Sequence, residues 1–422
     1  MLLVYRYLIN IFFPIIVILV IIRKWLAKED QIRYKEKIFE TSLNIIRNNN
    51  KKLIWFHVAS IGELKSVIPL IKKLNEKNEF EFLITTVTVS SASLIKKDLL
   101  NEKNIIHRFF PIDKPSLVKK FLNGWNPFMT VFVDSEIWPN FILEIKKKNI
   151  PLILLNGRIT KKTFSKWIKF KYSAEKIFQC FDLCLTSNTE SKKFLEKLNV
   201  RNVKYIGNMK FTSENEFNNK ENKNKAILNN YKFWCAVSTH REEDDFCLKT
   251  HLEIKKNHKN IITIIIPRHI SRSKSIRLTC EKLNLKSQIL SQNELIEPGK
   301  EIIIVNSYGE TSNYLSFCKS VFIGKSMIKR LELVGGQNPI EAAKLGCKIY
   351  YGPYVYNFQE IYDLLTKFEV SEKVYNEKEL SSKISADLNV DKRILDEKIG
   401  IIDDLGKKIL NDTYLELNKI LN

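Results

Sequence analysis

The chain has 422 residues, 44% hydrophobic and 27% charged, which excludes a disordered protein and leaves room for two domains at the usual length of about 100–200 residues each. Lys and Arg number 69 against 47 Asp and Glu, and the formal charge of +22 favours anionic partners without choosing among nucleic acid, acidic lipid and phosphorylated substrates. Seven scattered cysteines with no CxxC pair argue against a zinc site or a disulfide framework.

Residues 2–22, LLVYRYLINIFFPIIVILVII, form an apolar run close to the ~20 residues that cross a ~30 Å hydrocarbon core, although Arg6, Asn10 and Pro14 interrupt it. Arg23, Lys24 and Lys28 follow directly, and the positive-inside rule then keeps the rest of the chain on the cytoplasmic side. No small-residue cleavage site follows the run. The expectation is a single membrane anchor over residues 1–23 and a basic juxtamembrane helical segment over 24–52. Beside an anionic leaflet each Lys or Arg gains about 1 kcal/mol, which gives the basic surface a purpose.

From residue 53 short apolar runs alternate with amphipathic stretches: LIWFHV (53–58), FLITTV (82–87), TVFV (130–133), LILL (152–155), LCLT (183–186) and VKYI (203–206). Such runs predict buried parallel strands, and segments 63–76, 90–101, 136–148 and 189–198 predict the helices between them. A polar linker is expected over 216–230. The alternation restarts with WCAV (234–237), ITIIIP (262–267), IIIV (302–305), SVFI (320–323) and KIYY (348–351). The fold class is therefore α/β: two doubly wound, Rossmann-like parallel-sheet domains over 53–215 and 231–391, then a C-terminal helix over 392–422. A cleft between the domains is the default ligand site.

Walker A, GxGxxG, HExxH and DxD patterns are absent from the sequence, which disfavours P-loop NTPases, ordinary dinucleotide enzymes, zincins and metal-dependent sugar transferases of the DxD kind. Basic residues are not interleaved with aromatics as in a nucleic-acid module, so no nucleic-acid partner is expected.

The first strand ends in HVASIGE (57–63), at the edge where open α/β sheets bind ligands. Ser60 and Glu63 have the spacing of a capping box; Glu63 is equally placed for general-base work. A second acidic strand tip, DSEIWPN (134–140), carries Glu136, with the NGR of 156–158 nearby. In the second half GNMK (207–210), STHREED (238–244) and PRH (267–269) supply Lys210 and Arg268, both suited to phosphate oxygens. GGQNPIEAAKLG (335–346) places two glycines and Asn338 ahead of Pro339 at a helix's first turn, a pattern that offers free N–H groups to an anion, with Glu341 available for ribose hydroxyls.

Taken in order, WFHVASIGELKSVIPLI, LITTVTVSSA, DSEIWPN, NGRITKKTF, LTSNTESKKF, GNMKF, STHREED, PRH, NSYGETSNYL and GGQNPIEAAKLG with YGPYVYNFQEI resemble the Kdo transferases, from about residue 53 to 361. The resemblance implies a GT-B glycosyltransferase of lipopolysaccharide biosynthesis with an N-terminal membrane anchor helix. It would use CMP-Kdo as donor and lipid IVA, the lipid A precursor, as acceptor, inverting and metal-independent, with no cofactor. It further implies Glu63 as general base, with Glu136 and Lys210 stabilising the transition state. CMP contacts would fall on Pro267, Arg268, Tyr308, Gly309, Glu310, Asn338, Pro339, Ile340 and Glu341. Implied too are a place on the cytoplasmic side of the cell inner membrane and contact with its anionic lipids. A related GT-B transferase using another nucleotide sugar is the alternative. The chain departs from the family pattern at Asp134, at Asn306 and at Lys325, which stands where a second glycine is usual.

Overall fold

Strands that are apolar on both faces need cover on both faces, and helices connecting parallel strands supply it. The computed structural model describes residues 1–44, 51–99, 102–213, 222–390 and 393–421, and the chain divides into two units, Met1–Glu214 with Leu405–Asn422, and Asn215–Asp404.

The first unit contains β1 (Lys52–Val58), β2 (Phe80–Thr86), β3 (Ile105–Phe109), β4 (Met129–Val133), β5 (Leu152–Gly157), β6 (Leu183–Thr186) and β7 (Val203–Tyr205). All are parallel, in the order β3-β2-β1-β4-β5-β6-β7. Its helices are α1 (Leu2–Trp25), α2 (Ile61–Asn75), α3 (Val89–Asp98), α4 (Pro115–Trp125), α5 (Pro139–Lys147), α6 (Lys161–Ile168), α7 (Lys171–Phe178) and α8 (Thr189–Lys197). Trp55 of β1 is fully buried among Phe121, Phe132 and Phe141, and its indole N–H donates to Thr85 Oγ1 at 2.9 Å. The apolar runs did not foretell β3, because His107 and Arg108 interrupt the pattern of IIHRF.

Of the segment after α1 that was expected to be helical, 45–50 lie outside the described residues, and the rest instead forms two short 3-10 turns, Arg33–Lys37 and Glu40–Leu43. Tertiary bonds replace helical ones there. The Glu36 carboxylate accepts from the Phe109 N–H at 2.8 Å and from Arg33 and Arg108, which fixes the turn to the end of β3.

The second unit repeats the plan with β8 (Lys232–Thr239), β9 (Ile261–Pro267), β10 (Ser287–Leu290), β11 (Ile302–Val305), β12 (Ser320–Ile323), β13 (Lys348–Tyr351) and β14 (Ser371–Lys373), ordered β10-β11-β9-β8-β12-β13-β14. Its helices are α9 (Lys225–Leu228), α10 (Glu243–Lys255), α11 (Ser273–Lys282), α12 (Thr311–Leu315), α13 (Ile340–Lys344), α14 (Gln359–Lys367), α15 (Glu377–Asp387) and the long α16 (Arg393–Leu421). The two edge strands, SQIL and SEK, are too polar to stand out in the sequence. Of the expected linker, 216–221 lies outside the described residues; Asn224 beyond it accepts from the Ile296 N–H at 2.8 Å within the second unit. From Leu405 onward α16 belongs to the first unit, where Gly406 lets it approach the Phe211 carbonyl and Lys204 pairs with Glu416 at 2.6 Å.

Candidate active site

The strand order of the first unit reverses between β1 and β4, so the loops leaving these neighbours open at the topological switch point of the sheet. Glu63 enters from the β1 side. Ser60 caps α2, accepting from the Glu63 N–H at 3.3 Å and donating to Glu63 Oε1 at 3.0 Å, while Glu63 Oε2 accepts from the Ala59 N–H at 2.6 Å. The carboxylate that closes the capping box is thus the one expected from the sequence to act as base. Burial pushes its pKa up to about 7; the Asp134 and Glu136 charges add to that rise, and the bonds from Ala59 and Ser60 oppose it. A carboxyl poised near neutrality is what general-base work at neutral pH requires.

Glu136 and Asp134 enter from the β4 side. Glu136 Oε2 accepts from Trp138 Nε1 at 2.8 Å and bonds His57 Nε2 at 3.2 Å. Because a carboxylate only accepts, Nε2 carries the proton, and His57 Nδ1 lies 3.0 Å from Thr85 Oγ1. Burial pushes the Glu136 carboxyl up, but the bonds from His57 and Trp138 outweigh it and hold it below the ordinary value. Two carboxylates at one sheet edge are thus driven in opposite directions, a signature of separated acid–base roles. Asp134, in the left-handed region at φ 61°, has its Oδ2 3.6 Å from Lys210 Nζ. Lys210 is set by Asn208, whose side chain accepts from its N–H at 2.9 Å, and by Asn156, which accepts from the Met209 N–H at 2.9 Å. Asp134 thus lies beside Lys210, and its charge and that of Glu136 both act on Glu63, which places the three expected residues at one sheet edge.

Two residues of this edge escaped the sequence reading. His57 sits in the quoted HVASIGE run but was not assigned a role; it is fully buried and stacked on Phe110 with ring centroids 3.7 Å apart. Asp113 accepts from the N–H groups of Asn140 and Phe141 at 3.0 and 2.9 Å, capping α5, whose own N-cap Trp138 makes no side-chain cap. Nothing in the local sequence pairs Asp113 with a helix 26 residues later, since the contact is tertiary.

In the second unit the cationic residues gather around His240, after β8. Burial lowers the His240 pKa to about 4, and the charges of Lys325, Arg272, His269 and Arg268 act in the same direction. Burial is the main cause, and the added push from these neighbouring cations marks a positive potential, which suits a phosphate. The loop carrying Lys325 is fastened by Glu243, a buried carboxylate that accepts from the N–H groups of His240 (2.9 Å), Lys325 (2.6 Å), Ser326 (2.8 Å) and Met327 (3.0 Å). Gly324 makes this possible: a Cβ there would lie 2.7 Å from the Ser238 carbonyl. Lys325 takes a left-handed φ of 59°, the conformation that the glycine expected there from the family pattern would favour, so the departure changes the side chain and keeps the turn.

Pro267 ends β9, and the Arg268 N–H donates to the Thr239 carbonyl at 3.1 Å. Tyr308 is 70% exposed and Gly309 has φ 82° in the loop before α12. Glu310 holds Asn313 at 2.7 Å, and Ser312 donates to Glu341 Oε1 at 2.5 Å, which joins α12, directly after the 308–310 loop, to α13. Pro339 is the N-cap of α13 rather than its first turn, Asn338 Oδ1 accepts from the Ile340 N–H at 3.2 Å, and the helix has five residues. So short a helix has little dipole, and the positive field comes mainly from side chains. Asn306 Oδ1 accepts from Ser273 Oγ at 3.0 Å, an exchange that asparagine satisfies as well as aspartate. Among the described residues no group of three or more His, Cys, Asp or Glu side chains is placed to hold a metal ion.

Residues 33–213 match the family described as 3-deoxy-D-manno-octulosonic-acid transferase (kdotransferase). A 3-deoxy-D-manno-octulosonic acid transferase from Rickettsia bellii is 33% identical over 83% of this chain and 82% of its own length. One from Rickettsia prowazekii is 30% identical over 89% and 82%. Among solved structures, a glycosyltransferase from Rickettsia africae superposes with a TM-score of 0.60 at 14% identity, covering 89% of this chain and 100% of its own, a likeness of fold.

Proposed function

The chain belongs to the 3-deoxy-D-manno-octulosonic acid (Kdo) transferase family, glycosyltransferases of GT-B fold, and from that premise we propose that it transfers Kdo from CMP-Kdo to lipid IVA, inverting and without metal or cofactor. The observation that carries the reading is the Glu63 carboxylate, held by Ala59 and Ser60 and raised to about pH 7 by burial.

In this reaction Glu63 removes the proton from an acceptor hydroxyl, whose oxygen attacks the anomeric carbon of Kdo. The bond from that carbon to the phosphate oxygen breaks, and CMP leaves with the electron pair. Arg268 and the cations around His240 stabilise the phosphate charge, in place of the divalent ion that other transferases use. Lys210 and Glu136 fix the electrostatics beside the base. The exposed Tyr308, with Glu310 and Glu341, serves the nucleoside of CMP. Helix α1 anchors the chain at the inner membrane with both units on the cytoplasmic side, where the acceptor and anionic lipids meet the basic surface.

The test is mass spectrometry of lipid IVA incubated with CMP-Kdo and detergent-solubilised protein in EDTA, with Glu63→Ala and UDP-N-acetylglucosamine controls alongside. A Kdo-sized gain lost in the variant supports donor, acceptor, metal independence and base together. A gain from the UDP-sugar alone transfers the assignment to another nucleotide sugar.

A further inference from the structure

Helix α1 is apolar enough to span a bilayer, with a mean hydropathy of 2.3 over its best window, and its 24 residues extend about 36 Å. Its contacts are not those of a spanning helix. Near its start Tyr5 Oη donates to Asp113 Oδ2 at 2.8 Å, and Arg6 Nε donates to Asn140 Oδ1 at 3.0 Å. Asp113 is buried and already caps α5, so it cannot leave the first unit to follow Tyr5 across a membrane. At the other end Arg23 Nε bonds Glu29 at 2.7 Å, Glu29 pairs with Lys37, and Lys37 Nζ donates to the Val87 carbonyl at 2.8 Å. Both ends of α1 are tied to one body, whereas a span would separate them by a bilayer's thickness.

The helix also has two faces. Phe13 packs against the core of the first unit and Val20 is buried. Leu3, Tyr7, Ile11, Ile18, Ile22 and Trp25 recur at helical spacing on the outer face, every one of them exposed. An outward stripe facing water would be polar; this one is apolar except for Asn10. Arg23, Lys24 and Lys28 flank its end, and Arg6, Lys119 and Lys147 line a groove beside its start.

We infer that α1 lies in the plane of one leaflet of an anionic membrane, its outer stripe in the acyl region, with the N-terminus on the same side as the two catalytic units. Lipid rather than a second copy covers the stripe, because the +22 charge repels another copy and attracts an anionic leaflet. This deepens the anchoring part of the reading above and is independent of the sugar and acceptor, so loss of transferase activity leaves it standing.

The test is topological. All seven native cysteines are buried, so one cysteine in a short tag before Met1 and, separately, Lys193→Cys on the exposed face of α8 give clean labelling with an impermeant maleimide. In sealed membrane vesicles of either orientation the in-plane arrangement labels both from the same face. Labelling of the tag from the face opposite to that of Lys193→Cys in the same vesicles overturns it. Full-length protein should also float with phosphatidylethanolamine and phosphatidylglycerol vesicles, and Ile11→Lys with Ile18→Lys should lower the bound fraction about tenfold. A wild type that forms dimers through the stripe and does not float assigns the face to a second copy and overturns the proposal.

Discussion

His57 and Glu136 share a 3.2 Å hydrogen bond between Nε2 and Oε2 that ties the end of β1 to the loop after β4, directly at the switch point of the first sheet. The bond costs little to hold, since the imidazole is clamped between Thr85 and the face of Phe110. Its effect is to keep Glu136 ionised despite burial. His57→Phe retains the stacking but removes the donor, so the Glu136 pKa rises and transfer falls by about 10–100-fold, most steeply below neutral pH. A pH–rate profile of the variant checks this; an unchanged acid limb removes His57 as a positioning residue.

Glu63 must be ionised to accept a proton, and its pKa is raised to about 7. The acid limb of kcat/KM is therefore expected near that pH, with activity lost as pH falls through it. Glu63→Gln should lower turnover by about 10²–10⁴-fold while leaving CMP affinity unchanged. The stability effect has a definite sign. A carboxyl with a raised folded pKa stabilises the fold when protonated, and that contribution is lost as pH rises from the unfolded value through about 7. The Gln variant should exceed wild type by roughly 1–2 kcal/mol above pH 7 and match it below pH ~4.5, read by denaturant melts.

Asp134 contributes to the rise at Glu63 by like-charge repulsion, second to burial. Asp134→Asn should therefore move the acid limb to lower pH by a fraction of the whole displacement, and remove the carboxylate 3.6 Å from Lys210 Nζ. An upward movement of the limb would show that another group sets it.

Arg268→Ala should weaken CMP binding by about 10–100-fold in calorimetry, the loss of a charged hydrogen bond to phosphate. Glu243→Ala should do the same indirectly. It leaves the N–H groups of His240, Lys325, Ser326 and Met327 without their acceptor, and should destabilise the second unit by about 3–5 kcal/mol. An intact nucleotide affinity in a folded Glu243→Ala protein would separate that loop from the phosphate site.

Lys325→Gly removes a side chain from a left-handed position and should relieve about 1 kcal/mol of backbone strain. It also removes a cation that adds to the effect of burial on His240, so the imidazole should titrate above about 4. Proton NMR of His240 measures that displacement, and a fixed titration would place Lys325 outside its field.

The sequence alone determined the two sheets, because strands buried on both faces must be apolar throughout, and β1, β4, β8 and β12 announce themselves that way. It also determined Glu63, Glu136, Lys210 and Arg268 as candidates, since each stands at the carboxyl end of a strand within a motif shared with the family. Strands β3, β10 and β14 were invisible because polar residues break their patterns and only the neighbouring strand makes them strands. Tertiary structure alone decided which groups act on one another. His57 reaches Glu136 across 79 positions, Asp113 caps a helix that begins 26 positions later, and Glu243 fastens a loop more than 80 positions away. It likewise decided that α1, read as a membrane-crossing anchor, is tied at both ends to the first unit. Periodicity and composition report what a side chain avoids, which is water; hydrogen bonds and pKa values depend on the particular partner, and folding chooses the partner.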